Sequence, residues 1–147
     1  MTDAPNAASL RLNAAQLNDF MARAFPGVER GPGVVAEAEP GRVRCVIPFN
    51  PLSLRPGGVI SGPTMMSMAD TAAYALVLAH IGEVPMAVTT SLTIHFLRPC
   101  KPGDLVADAT LLRLGRRIAT CDIRLWTEAA DKIAAQATVA YAIPADI

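Results

Sequence analysis

Aromatic residues make up only 5% of this 147-residue chain, although 52% of it is hydrophobic. The core must therefore be built from Ala, Val, Leu, Ile and Met, small or adaptable side chains that let backbone layers approach closely. Histidine occurs twice, and the three cysteines, Cys45, Cys100 and Cys121, stand far apart without ligand spacing. That set is too thin for a metal site, so neither a metal nor a redox cofactor is expected, and an odd number of unpaired cysteines suits reduced thiols. Charge of one sign is lacking too: 13 Lys and Arg balance 13 Asp and Glu. With no basic tract or acidic tail, a nucleic-acid or membrane-surface partner is not expected. The leading Met-Thr-Asp-Ala-Pro-Asn has neither the basic nor the apolar region of a signal peptide. The one apolar stretch of membrane-like length is interrupted by Asp70. A cytoplasmic protein is the expectation. At this length one domain spanning residues 1–147 is expected, and its excess of apolar residues predicts surface buried between subunits.

What is present centres on the stretch from Gly58 to His80, a glycine-rich loop feeding a long apolar helix. Ser61 or Gly62 suits the cap, Pro63 the first helical position, and Gly82 with Pro85 beyond it the stop. At 100° per residue, Thr64, Ser67, Asp70, Thr71 and Tyr74 fall in one stripe, a polar seam on a buried helix. Ala69, Ala72, Ala73, Ala75 and Ala79 fall mostly opposite, where small side chains would let the helix lie close against a curved sheet. Asp70 has two readings: a structural acid bonded to Ser67 or backbone, or a reacting group. Two turns, roughly 12 Å, separate it from helix-start N–H groups suited to an oxyanion. A substrate lying across the helix would meet donors from one subunit and a carboxylate from another.

Around this stretch, residues 1 to about 9 are expected to be a loose tail. Asn13 to Phe25 carries Leu17, Phe20, Met21 and Ala24 at helical spacing, so that residues 1–30 form a tail and a short outer helix. Val34–Ala38 and Arg42–Pro48 are predicted as a hairpin, and the Pro- and Gly-rich run from Phe49 to Gly58 as a loop. Four extended segments follow, near Met86–Arg98, Asp104–Leu114, Arg117–Thr127 and Lys132–Ile143, and their short connections predict an antiparallel four-strand meander. In the first, Val88, Thr90, Leu92, Ile94 and Phe96 alternate with Thr89, Ser91, Thr93 and His95, the period of a strand with one apolar face.

The residues Gly58-x-x-Ser61-Gly62-Pro63, Met68-Ala69-Asp70-Thr71-Ala72, Thr93-Ile94-His95-Phe96-Leu97-Arg98-Pro99, Gly103-Asp104 and Gly115-Arg116 resemble the hotdog-fold acyl-CoA thioesterases of the phenylacetate-degradation type. The resemblance covers roughly residues 34–143 and implies an α+β domain, a long central helix wrapped by an antiparallel sheet. In that family the loop pattern is Asn-x-x-Gly-x-x-His-Gly-Gly, with the catalytic acid eight residues after the first Gly of the pair. That Gly is here Gly62 and the acid Asp70, so the resemblance implies that the Gly62 N–H polarises a thioester carbonyl while Asp70 of a second subunit attacks or activates water. Thr89 matches a family hydroxyl near that water. The chain departs from the pattern at Arg55, where the family has Asn, at Ser61, where it has His, and at Pro63, where it has the second Gly.

The remaining candidates carry plainer readings beside the functional ones. Asn50 is out of register with the family Asn, though its loop leads to the helix start. Ser61 is a cap first and a nucleophile only remotely, since no Gly-x-Ser-x-Gly elbow exists. Arg98, Arg116 and Arg117 are either solvated turn residues or partners for the phosphates of coenzyme A. His95 is expected at the surface or an interface, and His80 as a favourable partner for the helix dipole. Met65, Met66 and Met68 are expected in the helix core, able also to line an acyl pocket. The expectation is a homodimer or homotetramer that hydrolyses an acyl-CoA, coenzyme A entering only as part of the substrate. The alternative is a non-catalytic acyl-CoA binding or sensing protein, with a CoA-ester hydratase as a third reading.

Overall fold

The computed structural model describes residues 9–27 and 34–145. The expected N-terminal tail lies almost wholly outside the described residues. Helix α1 spans Ala14–Ala24 and begins with a reciprocal cap: Asn13 Oδ1 accepts from the Gln16 N–H and Gln16 Oε1 from the Asn13 N–H, both at 2.8 Å. It buries Leu17, Phe20 and Met21. The Asn18 amide then brackets Val35, donating to its carbonyl and accepting from its N–H at 2.9 Å, which fastens α1 to the sheet edge.

Strands β1 (Val35–Glu39) and β2 (Arg42–Ile47) form the predicted hairpin. The Pro-rich loop contains a 3-10 turn at Pro51–Ser53 and a two-residue ladder, β3 (Leu54–Arg55) with β4 (Val59–Ile60). Gly57 and Gly58 turn that ladder at φ +100 and +76, a region that side chains rarely adopt. Helix α2 follows at Gly62–Ile81 with Ser61 as its N-cap, and ends at Gly82, φ 91, whose N–H bonds the Leu78 carbonyl at 2.9 Å. Pro63 falls at the second helical position rather than the first, where its missing N–H still costs no hydrogen bond.

Strands β5 (Val88–Phe96), β6 (Leu105–Leu114), β7 (Ile118–Trp126) and β8 (Ala135–Ala142) complete an antiparallel six-stranded sheet of order β1-β2-β6-β7-β8-β5. The four-strand meander is thereby corrected. β6, β7 and β8 do meander, but β5 pairs with β8 and forms the far edge. The β6 flank that β5 would have taken is occupied by β2. Residues 97–104 need cross only three strand spacings, roughly 14 Å, well within the reach of eight extended residues.

The sheet curls around α2. Ala107, Ala109, Ala119, Ala135 and Ala137 on its inner face are fully buried in one core with Ala69, Ala72, Ala73, Ala75 and Ala79 of the helix. Small residues on both surfaces bring backbone layers close, and that contact is what the scarcity of aromatics accommodates. Met65 and Met68 join this core, whereas Met66 is 41% exposed, because it lies on the side of α2 that the sheet leaves open. Thr64, Asp70, Thr71 and Tyr74 are half-buried along the same open side and Ser67 is exposed. Among the described residues no helix is long and apolar enough to cross a membrane.

Candidate active site

Asp70 lies midway along the open seam of α2, and two hydroxyls reach it. Thr89 Oγ1 donates to Asp70 Oδ1 at 2.7 Å, and so does the Tyr141 hydroxyl, at 2.7 Å. Ser67, which the sequence offered as a structural partner, is not the group that holds the acid. Thr89 reaches Asp70 because β5 breaks its alternation: the register against β8 shifts between Thr89 and Ser91, so Thr90 is an extra residue. Beyond that bulge Leu92 and Ile94 face inward, opposite Val139 and Ala137; before it, Thr89 does, opposite Tyr141. Strict alternation had placed Thr89 with Ser91, Thr93 and His95. No local motif points to Tyr141. Its signal was a phenol at the fourth inward position of Ala135, Ala137, Val139 and Tyr141, a hydroxyl that burial obliges to find a partner.

These groups open onto a concavity of about 550 Å³ lined by Asp70, Thr89 and Tyr141, by Ser67 and Tyr74 of α2, and by Phe25 after α1. Of four phenylalanines, two tyrosines and one tryptophan, Phe25 and both tyrosines line it, and Phe20 packs behind Tyr74 with centroids 6.3 Å apart. Tyr74 stacks on Tyr141 with centroids 5.8 Å apart, meets Phe25 edge-on at 6.4 Å, and donates to the Pro85 carbonyl at 3.1 Å. Burial pushes the Tyr141 phenol far above its ordinary range, reinforced by the Asp70 charge, so it remains a donor. A second concavity, about 500 Å³, shares Ser67 and Thr71 with the first and extends to Pro63 at the helix start. The two concavities adjoin along the seam, which forms a groove on this side of α2.

At that start the Gly62 N–H donates to no described residue. A Cβ on Gly62 would stand 3.3 Å from Phe96 Cζ, so the glycine lets this ring lie over the helix terminus. Ser61 is engaged as cap, its Oγ accepting from the Thr64 N–H at 3.3 Å and paired with Thr64 Oγ1 at 2.7 Å. The Ser61 N–H donates to the Ser53 carbonyl at 2.9 Å, which seats the Pro-rich loop against α2. In that loop the Asn50 side chain accepts from the Leu52 N–H at 2.9 Å, Arg55 Nε donates to the Pro56 carbonyl at 3.0 Å, and Gly58 shapes the turn. None of the three lines the concavity at Asp70.

The arginines divide between opposite ends of the sheet. Arg98 follows β5 and is exposed there, while Arg116 and Arg117 sit in the β6–β7 turn. The latter pair lines a concavity of about 340 Å³ with Arg11 and His80. A further concavity lies between this basic end and the one at Asp70, sharing Pro85 with the latter and Arg11, Ile81 and Pro144 with the former. His80, expected as a partner for the helix dipole, lies in the last turn of α2 and is buried there. Its Nε2 accepts from the Gly41 N–H at 3.0 Å and its Nδ1 bonds the Leu76 carbonyl at 2.9 Å, stapling α2 to the β1–β2 turn. His95 is exposed on β5, opposite Gln136. Among the described residues no three His, Cys, Asp or Glu side chains gather as a metal ion would require.

A long helix in a curled antiparallel sheet, open along a seam that carries a hydroxyl-bonded carboxylate, defines a hotdog protein. The sequence model of the Thioesterase superfamily matches residues 57–134, more than half of the chain, from the glycine turn to the start of β8. The chain belongs to this family. It is 35% identical to a "putative thioesterase" from Silicibacter sp. TM1040, with a TM-score of 0.80 over 93% of this chain and 95% of that one. A "putative esterase" of Halobacterium salinarum is 30% identical over 133 residues, 86% of this chain and 82% of its own. Zebra fish thioesterase superfamily member 2 shares the fold at a TM-score of 0.76, covering 90% of this chain and 99% of that one at 21% identity.

Proposed function

We propose that this chain is a cytoplasmic acyl-CoA thioesterase acting as a homodimer or homotetramer, with Asp70 of one subunit opposite the Gly62 N–H of another. The observation that carries this reading is the pairing of a hydroxyl-bonded carboxylate in the groove with an N–H, at the start of the same helix, that donates to no described residue. In one protomer these groups are eight residues apart, roughly 12 Å along a helix, too far to serve one carbonyl group. A second copy laid along the open seam brings the donor of one to the acid of the other.

Asp70 acts as base or nucleophile. As base it takes a proton from water, the water oxygen adds to the thioester carbon, and the Gly62 N–H and the helix dipole stabilise the oxyanion. The carbon–sulfur bond then breaks and the proton passes from Asp70 to the leaving sulfur, giving a carboxylic acid and a free thiol. Thr89 orients the acid. Arg116 and Arg117 are proposed for the phosphates of coenzyme A, because they line a basic concavity with Arg11, and a further concavity lies between it and the one at Asp70. Arg98, Arg55, Asn50 and Gly58, at the other end, are proposed only as contacts supplied to a neighbouring subunit's substrate. Ser61 serves by shaping the helix start. The engagement of Ser61 as a cap, in the position of the family His, favours one rival, an acyl-CoA binding or sensing protein.

Asp70→Asn keeps shape and hydrogen-bonding capacity while removing basicity. Thiol release from a panel of acyl-CoA thioesters should fall at least a hundredfold, with the melting temperature little changed. Wild-type turnover in a folded Asp70→Asn chain would sink the mechanism. Tight acyl-CoA binding by a wild type that releases no thiol would install the sensor in its place, and hydration of an enoyl-CoA the hydratase.

A further inference from the structure

The carboxylate at the centre of the groove is held asymmetrically. Both donors, Thr89 Oγ1 and the Tyr141 hydroxyl, go to Oδ1, and no described residue donates to Oδ2. A carboxylate oxygen offers two lone pairs, so two donors occupy Oδ1 fully and leave Oδ2 as the oxygen with accepting capacity to spare. We infer that Tyr141 is a positioning residue of the hydrolytic site: together with Thr89 it commits Oδ1 to the protein and reserves Oδ2 as the oxygen that reacts. This rests on the thioesterase reading above and goes further in naming the reacting atom and the residue that selects it.

Three features make Tyr141 a built support rather than a chance neighbour. Its ring is buried and stacked on Tyr74, whose own hydroxyl is anchored on Pro85, so the phenol is fixed before substrate arrives. Its single proton has two acceptors in reach on Asp70, the backbone carbonyl at 3.3 Å and Oδ1 at 2.7 Å, and the shorter, charge-assisted bond is the stronger. The bulge at Thr90 adds the second donor to the same oxygen rather than to the other one. The chemical consequence is preorganisation. With Oδ1 tied down, the carboxylate plane does not swing, and the proton taken from water lands on Oδ2 and leaves from it toward sulfur. The donors on Oδ1 stay in place through both transfers, so no reorganisation accompanies them.

The test compares wild type, Tyr141→Phe, Thr89→Val, Thr89→Ser and Asp70→Asn for kcat, KM and melting temperature on one acyl-CoA substrate. Tyr141→Phe keeps the stacked ring and removes only the donor, so kcat should fall roughly tenfold while KM stays within about twofold. Thr89→Val should lose a comparable factor, with Thr89→Ser recovering most of it. A role in packing alone would instead lower the melting temperature and leave kcat of the folded enzyme unchanged. Should Tyr141→Phe fail to fold, the Thr89 pair reads the same oxygen from an exposed side chain. Wild-type kcat in Tyr141→Phe or Thr89→Val beside an inert Asp70→Asn overturns the assignment and leaves the thioesterase reading standing. A wild-type chain that hydrolyses no thioester overturns both.

Discussion

Burial pushes the thiols of Cys45 and Cys121 up to about 12, and raises that of Cys100 for the same reason. Thiolate is the reactive form, so at pH 8 the native chain should react with a thiol reagent far more slowly than the denatured one, which should yield all three cysteines at once. A fast-reacting thiol in the native protein would contradict the burial. The folded pKa lies above the unfolded value, so this contribution to stability is complete below about pH 8.5, the ordinary thiol value, and is lost as pH rises toward 12. Chemical denaturation at pH 7 and pH 10 should show the decline. Gly62→Pro removes the N–H and should lower turnover by roughly a hundredfold or more, while Gly62→Ala keeps the N–H but presses on Phe96 and should cost much less. Equal losses would show that space, not the donor, is what Gly62 supplies. At this scale Asp70, Gly62 and Ser61 were legible because local rules governed them: a cap, a glycine, a charge in an apolar helix. The orientation of Thr89 was not, because it depends on a one-residue bulge in β5, and neither was the role of Tyr141, because its bond to Asp70 spans 71 positions and forms only where β8 packs on α2.

The elements themselves were written locally and their order was not. Helix α2 carries its own start and stop in Ser61 and Gly82, and α1 carries a complete capping box. Ser61→Ala should accordingly cost about 1 kcal/mol, a few degrees in melting temperature for a chain of this size, read by thermal denaturation. No measurable shift would mean that Thr64 Oγ1 or water takes over the cap. The six strands of the main sheet were recognisable as extended segments between turn residues, whereas β3 and β4 were not, because a two-residue ladder at a Pro- and Gly-rich run carries no period; which neighbour β5 takes is a competition among edges. β2 wins the flank of β6 through six paired residues, Arg42 to Ile47 against Thr110 to Leu105, which sends β5 to the far side of β8. His80 shows the same limit in one side chain. Its place in the last turn of α2 suggested a helix-end charge, but the β1–β2 turn folds over it and supplies the Gly41 N–H, a contact between residues 39 positions apart.

Across the whole molecule the sheet leaves one side of α2 and the outer edge of β5 uncovered, with Met66, Val88, Phe96 and Leu97 between 41% and 56% exposed. Such apolar exposure on the face that carries the site argues for a second copy there, and light scattering at working concentration should return a dimer or a multiple of it. A monomer mass would remove the two-subunit scheme. Such a dimer would carry two sites. If each takes its oxyanion donor from one subunit and its carboxylate from the other, a Gly62→Pro chain lacks the donor but keeps Asp70, and an Asp70→Asn chain lacks the acid but keeps the donor. Each alone forms only crippled sites. In a mixed dimer one site pairs the intact Gly62 with the intact Asp70, while the other collects both defects. Statistical re-association of equal amounts makes half of all dimers mixed, so activity should return to about a quarter of wild type after the two inactive proteins are unfolded and refolded together. Refolding each alone should restore none. If acid and donor served the same carbonyl within one chain, no mixture would regain activity, and persistent inactivity of a demonstrably mixed dimer would place the whole reaction inside a single subunit.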